Sequence, residues 1–100
     1  MAQALLELVD DQLRLSGVLD YSTGAALRKQ GQALIKSSSA KTLLIDCASV
    51  EKSSSVGLSL LLAFMRDGQS CGKAIEVRAM PQDLRQIAQV TGMTELFSHV

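Results

Sequence analysis

The segment TLLIDC, residues 42–47, restricts the fold more than any other part of the chain. It is short and apolar up to Asp46, which is typical of a central β-strand covered on both faces. Such strands pair in parallel with their neighbours, and parallel neighbours need a crossover connection, usually a helix. The segment therefore predicts an α/β domain in which helices link parallel strands of one sheet.

Hydrophobic patterns predict the remaining elements on both sides of this strand. ALLELV and QLRLSGV, residues 4–18, predict a hairpin with its turn at Asp10 and Asp11, and AIEVRA, residues 74–79, alternates as a half-buried strand does. Helical spacing predicts one helix that ends near the serines at 37–39, a second over residues 55–70 and a third from Pro81 to Gly92, followed by a short turn over TELF. We expect one α/β domain over residues 1–100, with a small mixed sheet packed with about four helices.

Composition and charge exclude several classes of function. A chain of 100 residues is the size of one compact domain and leaves little room for a deep active site. The ten basic and ten acidic residues cancel and form no basic run, so we expect no nucleic-acid partner. The N-terminus lacks a basic leader, and no apolar run approaches the roughly 20 residues that span a bilayer, which predicts a cytoplasmic protein without direct membrane insertion. The spacing of Cys47 and Cys71 favours reduced thiols.

The helix predicted over residues 55–70 carries more apolar residues than one buried face uses. One side, which we assign to the core, carries Leu58, Leu61, Leu62 and Met65. The opposite side, which we call the second row, carries Val56, Leu60, Ala63, Phe64 and Asp67. The sheet cannot cover both sides, so either a neighbouring helix of this domain or a partner protein covers the second row. We favour the partner.

Ser53, Ser54 and Ser55 lie where this helix starts, and the simplest interpretation is that one of them caps it by accepting a hydrogen bond from a free backbone N–H. A functional interpretation adds that a phosphate on Ser55 is favoured by the helix N-terminus and changes the charge beside the second row. Asp20 has two interpretations as well. Either Asp20 or Ser22 caps the first helix, or Asp20 accepts hydrogen bonds from the serine loop, and capping is favoured.

The stretch IDCASVEKSSSVGLSLLL resembles the signature of STAS domains, the sulfate-transporter and anti-sigma-factor-antagonist fold. In that resemblance Asp46 matches the Asp at the strand end, Ser55 the phosphorylatable residue, and Gly57 with Leu58 the Gly-Leu pair. Asp46 and Gly57, together with Asp20, are then loop-ordering residues. Ser54 stands where antagonists usually have Asp. LSGVLDYSTGAAL and VTGMTELF extend the resemblance over nearly the whole chain.

The short, stand-alone form with an N-terminal LSGVLD resembles the STAS subunit of the bacterial Mla phospholipid-transport ABC complex. The resemblance implies a non-catalytic accessory subunit of the cytoplasmic ATPase, peripheral to the inner membrane through that partner, which helps to maintain outer-membrane lipid asymmetry. It implies partner contacts through Ser53–Ser55 and the second row. The alternative is an anti-sigma factor antagonist controlled by a serine kinase that phosphorylates Ser55. The missing acidic residue at Ser54 favours the transporter subunit.

Catalysis, cofactors and metals find little support in the sequence. A serine nucleophile needs an oriented base, and the single histidine, His99, is the penultimate residue. SVGLS is not a G-x-S-x-G elbow, and no Walker-type Gly-x-x-x-x-Gly-Lys sequence occurs. One histidine and two distant cysteines do not make a metal cluster. We therefore predict no catalytic residue, no metal and no cofactor.

Overall fold

The computed structural model describes residues 3–94 of the chain. The described elements are β1 (Ala4–Val9), β2 (Gln12–Leu19), α1 (Gly24–Ser37), β3 (Thr42–Ser53), α2 (Ser55–Ser70), β4 (Ala74–Arg78) and α3 (Gln82–Val90). The described part of the chain thus has three helices, where about four were expected. The turn predicted over TELF lies, apart from Thr94, outside the described residues.

The four strands form one mixed sheet in the order β1-β2-β3-β4. β1 and β2 form the predicted antiparallel hairpin. Asp10, which lies in the hairpin turn, adopts a left-handed conformation with φ of 55°. That conformation is one that Asp tolerates better than most residues. β3 is parallel to both β2 and β4, so α1 and α2 are the crossover connections that TLLIDC predicted.

β3 differs from its predicted form in length and in the covering of its faces. It runs on to Ser53, so Asp46 lies inside the strand and the assignment of Asp46 to the strand end is wrong. Register shifts in the pairing with β2, between Arg14 and Ser16 and between Gly17 and Val18, show that the second half of β3 is bulged. Leu43 and Ile45 are fully buried, whereas Leu44 and Asp46 on the opposite face are half-buried. The strand is therefore closely covered on one face rather than on both.

The less covered face of the sheet carries a row of alternating charges. The strand register aligns Glu7 with Arg14, Arg14 with Asp46, and Asp46 with Arg78. The carboxylate of Asp46 lies 3.6 Å from the guanidinium of Arg78, and three of the four residues are exposed. Opposite charges on adjacent strands are favourable neighbours, so this row stabilises a solvated face.

Helix α1 covers the middle of the second row of α2. Leu60 and Phe64 are buried, with 4% and 0% of their surfaces exposed, and the ring of Phe64 lies against Gly31 of α1. The expectation that these two residues need a partner protein to cover them is wrong, because a neighbouring helix of the same domain covers them. Val56 and Ala63 remain half-buried at the edge of this helix contact.

The core face assigned to α2 is confirmed for two of its four residues. Leu58 and Leu61 are buried in the core cluster, whereas Leu62 and Met65 are half-buried at its margin. Asp67, the last member of the second row, accepts a hydrogen bond from Arg28 of α1. The two helices are therefore joined by apolar packing and by this ion pair.

Candidate functional site

The carboxyl ends of β2 and β3 lie side by side and carry the serine segment, Ser53 to Ser55. Leu19 at the end of β2 is aligned with Ser53 at the end of β3. The backbone N–H of Ser54 then donates to the carbonyl of Leu19 at 2.9 Å. Only Ser54 separates β3 from α2. Ser55, the first helical residue, is therefore held within two residues of a paired strand end.

Ser54 is the N-cap of α2, which confirms that one of the three serines caps this helix. Its hydroxyl oxygen accepts a hydrogen bond from the N–H of Val56 at 3.2 Å, and its hydroxyl lies 3.4 Å from the carbonyl oxygen of Leu19. Ser54 is in an extended conformation, as N-cap residues are. The side chain that stands where antagonists usually have Asp is thus engaged with the backbone.

Ser53 is buried and lies under the first turn of α2. Its hydroxyl donates to the carbonyl of Ser54 at 2.9 Å, and its N–H donates to a carboxylate oxygen of Asp83 at 2.8 Å. A Cβ placed on Gly57 would lie 2.0 Å from the hydroxyl oxygen of Ser53. Because that distance is far shorter than a contact between two atoms, a side chain at position 57 would force the Ser53 hydroxyl away from its place under the helix. The loop-ordering role that the resemblance implies for Gly57 stays a prediction.

Ser55 is exposed at the N-terminus of α2, where the first backbone N–H groups of a helix carry partial positive charge. Among the described residues its hydroxyl makes no hydrogen bond that would occupy it. The hydroxyl is therefore accessible to a partner or to phosphorylation. The hydrogen bonds of Ser53 and Ser54 hold the backbone next to Ser55.

Asp20 does not cap α1, so that prediction is wrong, and Ser22 does not cap it either. The N-cap is Thr23, a buried residue whose hydroxyl donates to the carbonyl of Val18 at 2.9 Å and ties the turn to β2. The carboxylate of Asp20 instead accepts hydrogen bonds from the N–H of Ser22 at 2.8 Å and from its hydroxyl at 2.5 Å. The hydroxyl bond from Ser22 is the main cause of a pKa of Asp20 below its usual value.

The alternative for Asp20, hydrogen bonds from the serine loop to its carboxylate, is also not what the structure shows. The strand ends do lie side by side, but the contact runs through the backbone of Leu19 and Ser54. Asp20 orders the turn before α1, since its carbonyl accepts from the N–H groups of Thr23 and Gly24 at 3.1 and 2.9 Å. Its role is therefore local to that turn.

A shallow depression of about 400 Å³ lies beside Ser55, between α1 and α2, and we call it the α1–α2 groove. It is lined by Tyr21, Gly24, Ala25, Arg28, Val56, Ser59, Leu60 and Ala63. Tyr21 stands at its edge with 90% of its surface exposed. The sequence interpretation placed Val56, Leu60 and Ala63 on this side but missed Tyr21, whose signal is an aromatic residue in a polar turn.

Asp46 and Cys47 lie away from this groove. Asp46 accepts a hydrogen bond from the N–H of Ala48 at 3.0 Å, which orders the bulged part of β3. Burial of Cys47, with a smaller effect of the neighbouring Asp46, raises the pKa of its thiol to about 12. Over residues 3–94, no three histidine, cysteine or acidic side chains are grouped as metal ligands, and no helix has the length and apolarity to cross a bilayer.

The mixed four-stranded sheet, its two helical crossovers and the helix that starts directly after β3 define a STAS domain. Residues 4–98 match the family model described as Mlab, STAS domain, and the chain belongs to that family.

Solved structures share the fold. The anti-sigma factor antagonist SpoIIAA in its unphosphorylated form is similar, with a TM-score of 0.74 at 20% identity over 95% of this chain and 85% of that one. An anti-sigma factor antagonist from Mycobacterium paratuberculosis has a TM-score of 0.69 at 29% identity over 97% and 83% of the two chains. The Bacillus cell fate determinant SpoIIAA in its phosphorylated form gives 0.68 at 19% identity over 95% and 88%.

Proposed function

We propose that this protein is a non-catalytic accessory subunit that binds the ATPase of an ABC-type phospholipid transporter of the Mla class. In this proposal it is cytoplasmic, is held at the inner membrane through that ATPase, and supports the maintenance of outer-membrane lipid asymmetry. The observation that carries the proposal is the match of residues 4–98 to the family described as Mlab, STAS domain. The match spans nearly the whole of this sequence.

The binding surface in this proposal is the N-terminus of α2 together with the α1–α2 groove. Ser55 presents a hydroxyl there, Val56 and Ala63 present half-buried apolar surface, and Tyr21 stands exposed beside them. Protein interfaces favour this combination of an aromatic anchor and a core with few charges. Arg28 is the one charged residue in the groove lining, and its ion pair with Asp67 of α2 neutralises that charge.

The other residues of the predicted site position the residues of this surface through hydrogen bonds and packing. Ser53, Ser54 and Gly57 hold the backbone that presents Ser55, through the bonds and the close approach described above. Leu60 and Phe64 hold α2 against α1 and so shape the groove without reaching far into it. We expect changes at these positions, which are buried except for the N-cap residue Ser54, to alter binding through the fold. Changes at Ser55 and Tyr21 should alter it directly.

A mechanism follows from the general requirement for any such accessory subunit. A bound protein shifts the conformational equilibrium of its partner only by binding one state more tightly than the other. We propose that docking of the α2 N-terminus favours the assembled, active arrangement of the ATPase. The subunit then acts without chemistry of its own.

The second candidate is an anti-sigma factor antagonist controlled by phosphorylation of Ser55. The similarity to antagonist structures and the exposure of Ser55 at a helix N-terminus support it, because that position stabilises a phosphate. The neutral Ser54 next to Ser55 argues against it, since the antagonist pattern that the sequence resembles has an acidic residue there. A serine kinase would then be the partner.

Affinity purification of the tagged, full-length protein from its own cells tests both candidates in one experiment. Mass spectrometry of the partners and of the peptide that contains Ser53 to Ser55 gives two independent readouts. Recovery of an ABC ATPase with its permease, and of unmodified serines, supports the transporter subunit. Recovery of a serine kinase with phosphate on Ser55 overturns it in favour of the antagonist.

A further inference from the structure

The far end of β3 runs beyond its β4 neighbour. Within the described residues, the pairing of β3 with β4 ends where Asp46 is aligned with Arg78, whereas β3 continues to Ser53. Backbone N–H groups that lose a strand partner need another acceptor when they are removed from water. The N–H of the exposed Ala48 donates to the carboxylate of Asp46. For the buried Ser53 the acceptor comes from a residue 30 positions further along the chain.

That acceptor is Asp83 in the first turn of α3. One carboxylate oxygen accepts the hydrogen bond from Ser53 at 2.8 Å, and the other oxygen accepts from the N–H of Leu84 at 3.0 Å. Hydrogen bonds to an ionised acceptor are roughly twice as strong as bonds between neutral groups. With both oxygens engaged, the carboxylate joins the start of α3 to the end of β3 in a defined orientation.

Leu84 adds a second contact, between α3 and the first turn of α2. Its side chain is fully buried, and a Cβ placed on Gly57 would lie 3.1 Å from its Cδ2 atom. Helix α3 therefore contacts the chain on both sides of Ser55. The Asp83 carboxylate contacts Ser53 before it, and the Leu84 side chain contacts Gly57 after it. The backbone that carries the exposed hydroxyl is held between these two contacts.

We propose that Asp83 is a positioning residue for the binding surface at the N-terminus of α2. Its carboxylate fixes the backbone of Ser53 and thereby the direction in which Ser55 and Val56 face the partner. Loss of the carboxylate lets the serine segment shift while the sheet and helices stay folded. The effect on partner affinity rests on the function proposed above, whereas the effect on the segment itself does not.

Three variants separate this role from a general contribution to α3. Asp83→Ala removes both acceptor oxygens, and Asp83→Asn keeps one oxygen that can accept from Ser53. Asp83→Ala also removes the acidic residue from the first turn of α3, where negative charge stabilises a helix. The double variant Gln82→Asp with Asp83→Ala restores a charge in that turn without restoring the contact with Ser53.

The experiment measures two quantities for each variant of the full chain. NMR hydrogen exchange of the Ser53 amide reports whether its hydrogen bond to Asp83 is intact in the free protein. Calorimetric titration with the purified ATPase reports the affinity for the partner. We expect Ser53 exchange to rise at least about tenfold in Asp83→Ala and in the double variant. We expect ATPase affinity to fall about five- to tenfold in both, and Asp83→Asn to recover most of each loss.

Each alternative result has a distinct meaning. An unchanged exchange rate of Ser53 in Asp83→Ala shows that the carboxylate does not hold the segment, and overturns the proposal. Faster exchange with unchanged affinity overturns the positioning role. A wild-type chain that binds no ATPase overturns the proposed function and the affinity half of this proposal with it, while the exchange rates still decide whether Asp83 holds Ser53.

Discussion

The aromatic ring of Phe64 lies against Gly31, so that helices α1 and α2 approach each other at a position with no side chain. A Cβ placed on Gly31 would lie 2.1 Å from the Cε1 atom of Phe64, well inside the contact distance of two carbon atoms. Both residues are buried. This contact covers the middle of the second row of α2, while Val56 and Ala63 stay half-buried.

Replacement of Gly31 by alanine tests this contact. Alanine is the better helix former by about 1 kcal/mol, so an open site predicts a more stable protein. We instead expect a loss of about 1–3 kcal/mol in the free energy of unfolding, since the added methyl group overpacks the helix contact. Urea denaturation followed by circular dichroism measures the change.

The double variant Gly31→Ala with Phe64→Leu is the control for this prediction. Leucine removes the ring atoms that the new methyl group meets, so the two changes should cost less together than the sum of their separate costs. Additive costs, or a stabilised Gly31→Ala protein, would show that the two helices do not approach as closely as described.

The sequence allowed the sheet, the crossovers and the two rows of α2 to be predicted, because hydrophobic periodicity depends only on residues close in the chain. It did not allow us to predict whether a helix of the same domain or a partner protein covers the second row. That depends on the distance between α1 and α2, which Gly31 permits and which no local pattern records. Asp83 was missed for the same reason, since it lies 30 residues from Ser53.

Capping was predicted correctly for α2 and incorrectly for α1, for a physical reason. Asp20, Ser22 and Thr23 are all good N-cap residues and lie within four positions of one another. Thr23 takes the N-cap position without a side-chain cap, because its hydroxyl donates to the carbonyl of Val18 on β2, and the carboxylate of Asp20 accepts from Ser22. The sequence shows the candidates but not the partners that their side chains bind in the fold.

Leu60 and Ala63 belong to the same predicted row but should respond differently to a negative charge. Leu60→Asp places a carboxylate in the buried helix contact, and we expect a loss of at least about 3 kcal/mol in the free energy of unfolding. Ala63→Asp lies at the half-exposed edge and should keep the fold while it weakens partner binding. Circular dichroism and titration with the ATPase distinguish the two. A folded Leu60→Asp protein with normal stability would contradict this description of the row.

Ser55→Glu tests the centre of the proposed binding surface. The new carboxylate lies at a helix N-terminus, so we expect stability to be retained, while ATPase affinity falls at least about tenfold because a charge enters a desolvated contact. Ser39→Glu is the matched control, since Ser39 is exposed and precedes β3 at the opposite end of the sheet. Equal affinities for the two variants would remove Ser55 from the interface.

Tyr21→Asp tests the edge of the α1–α2 groove. Tyr21 is 90% exposed, so its replacement should leave the fold intact, and we expect a loss of partner affinity of about tenfold or more if the ring is an anchor. Val90→Asp is the control, because Val90 at the end of α3 is 87% exposed and lies outside the groove. Isothermal titration with the ATPase gives both affinities. If only Val90→Asp weakened binding, the surface would have to be reassigned to α3.

The turn before α1 should respond to pH through Asp20. The hydroxyl of Ser22 donates to the carboxylate and is the main cause that holds the pKa of Asp20 below its usual value of 3.8. Because the charged form is favoured in the folded protein, the resulting stabilisation is fully present above pH 3.8 and is lost as the pH falls through the lower folded value. Ser22→Ala should raise the pKa of Asp20 in an NMR titration, and its loss of stability should shrink as the pH falls through this window. Ser39→Ala is the control, and an Asp20 pKa that is the same in both variants would show that the Ser22 hydroxyl does not hold this carboxylate.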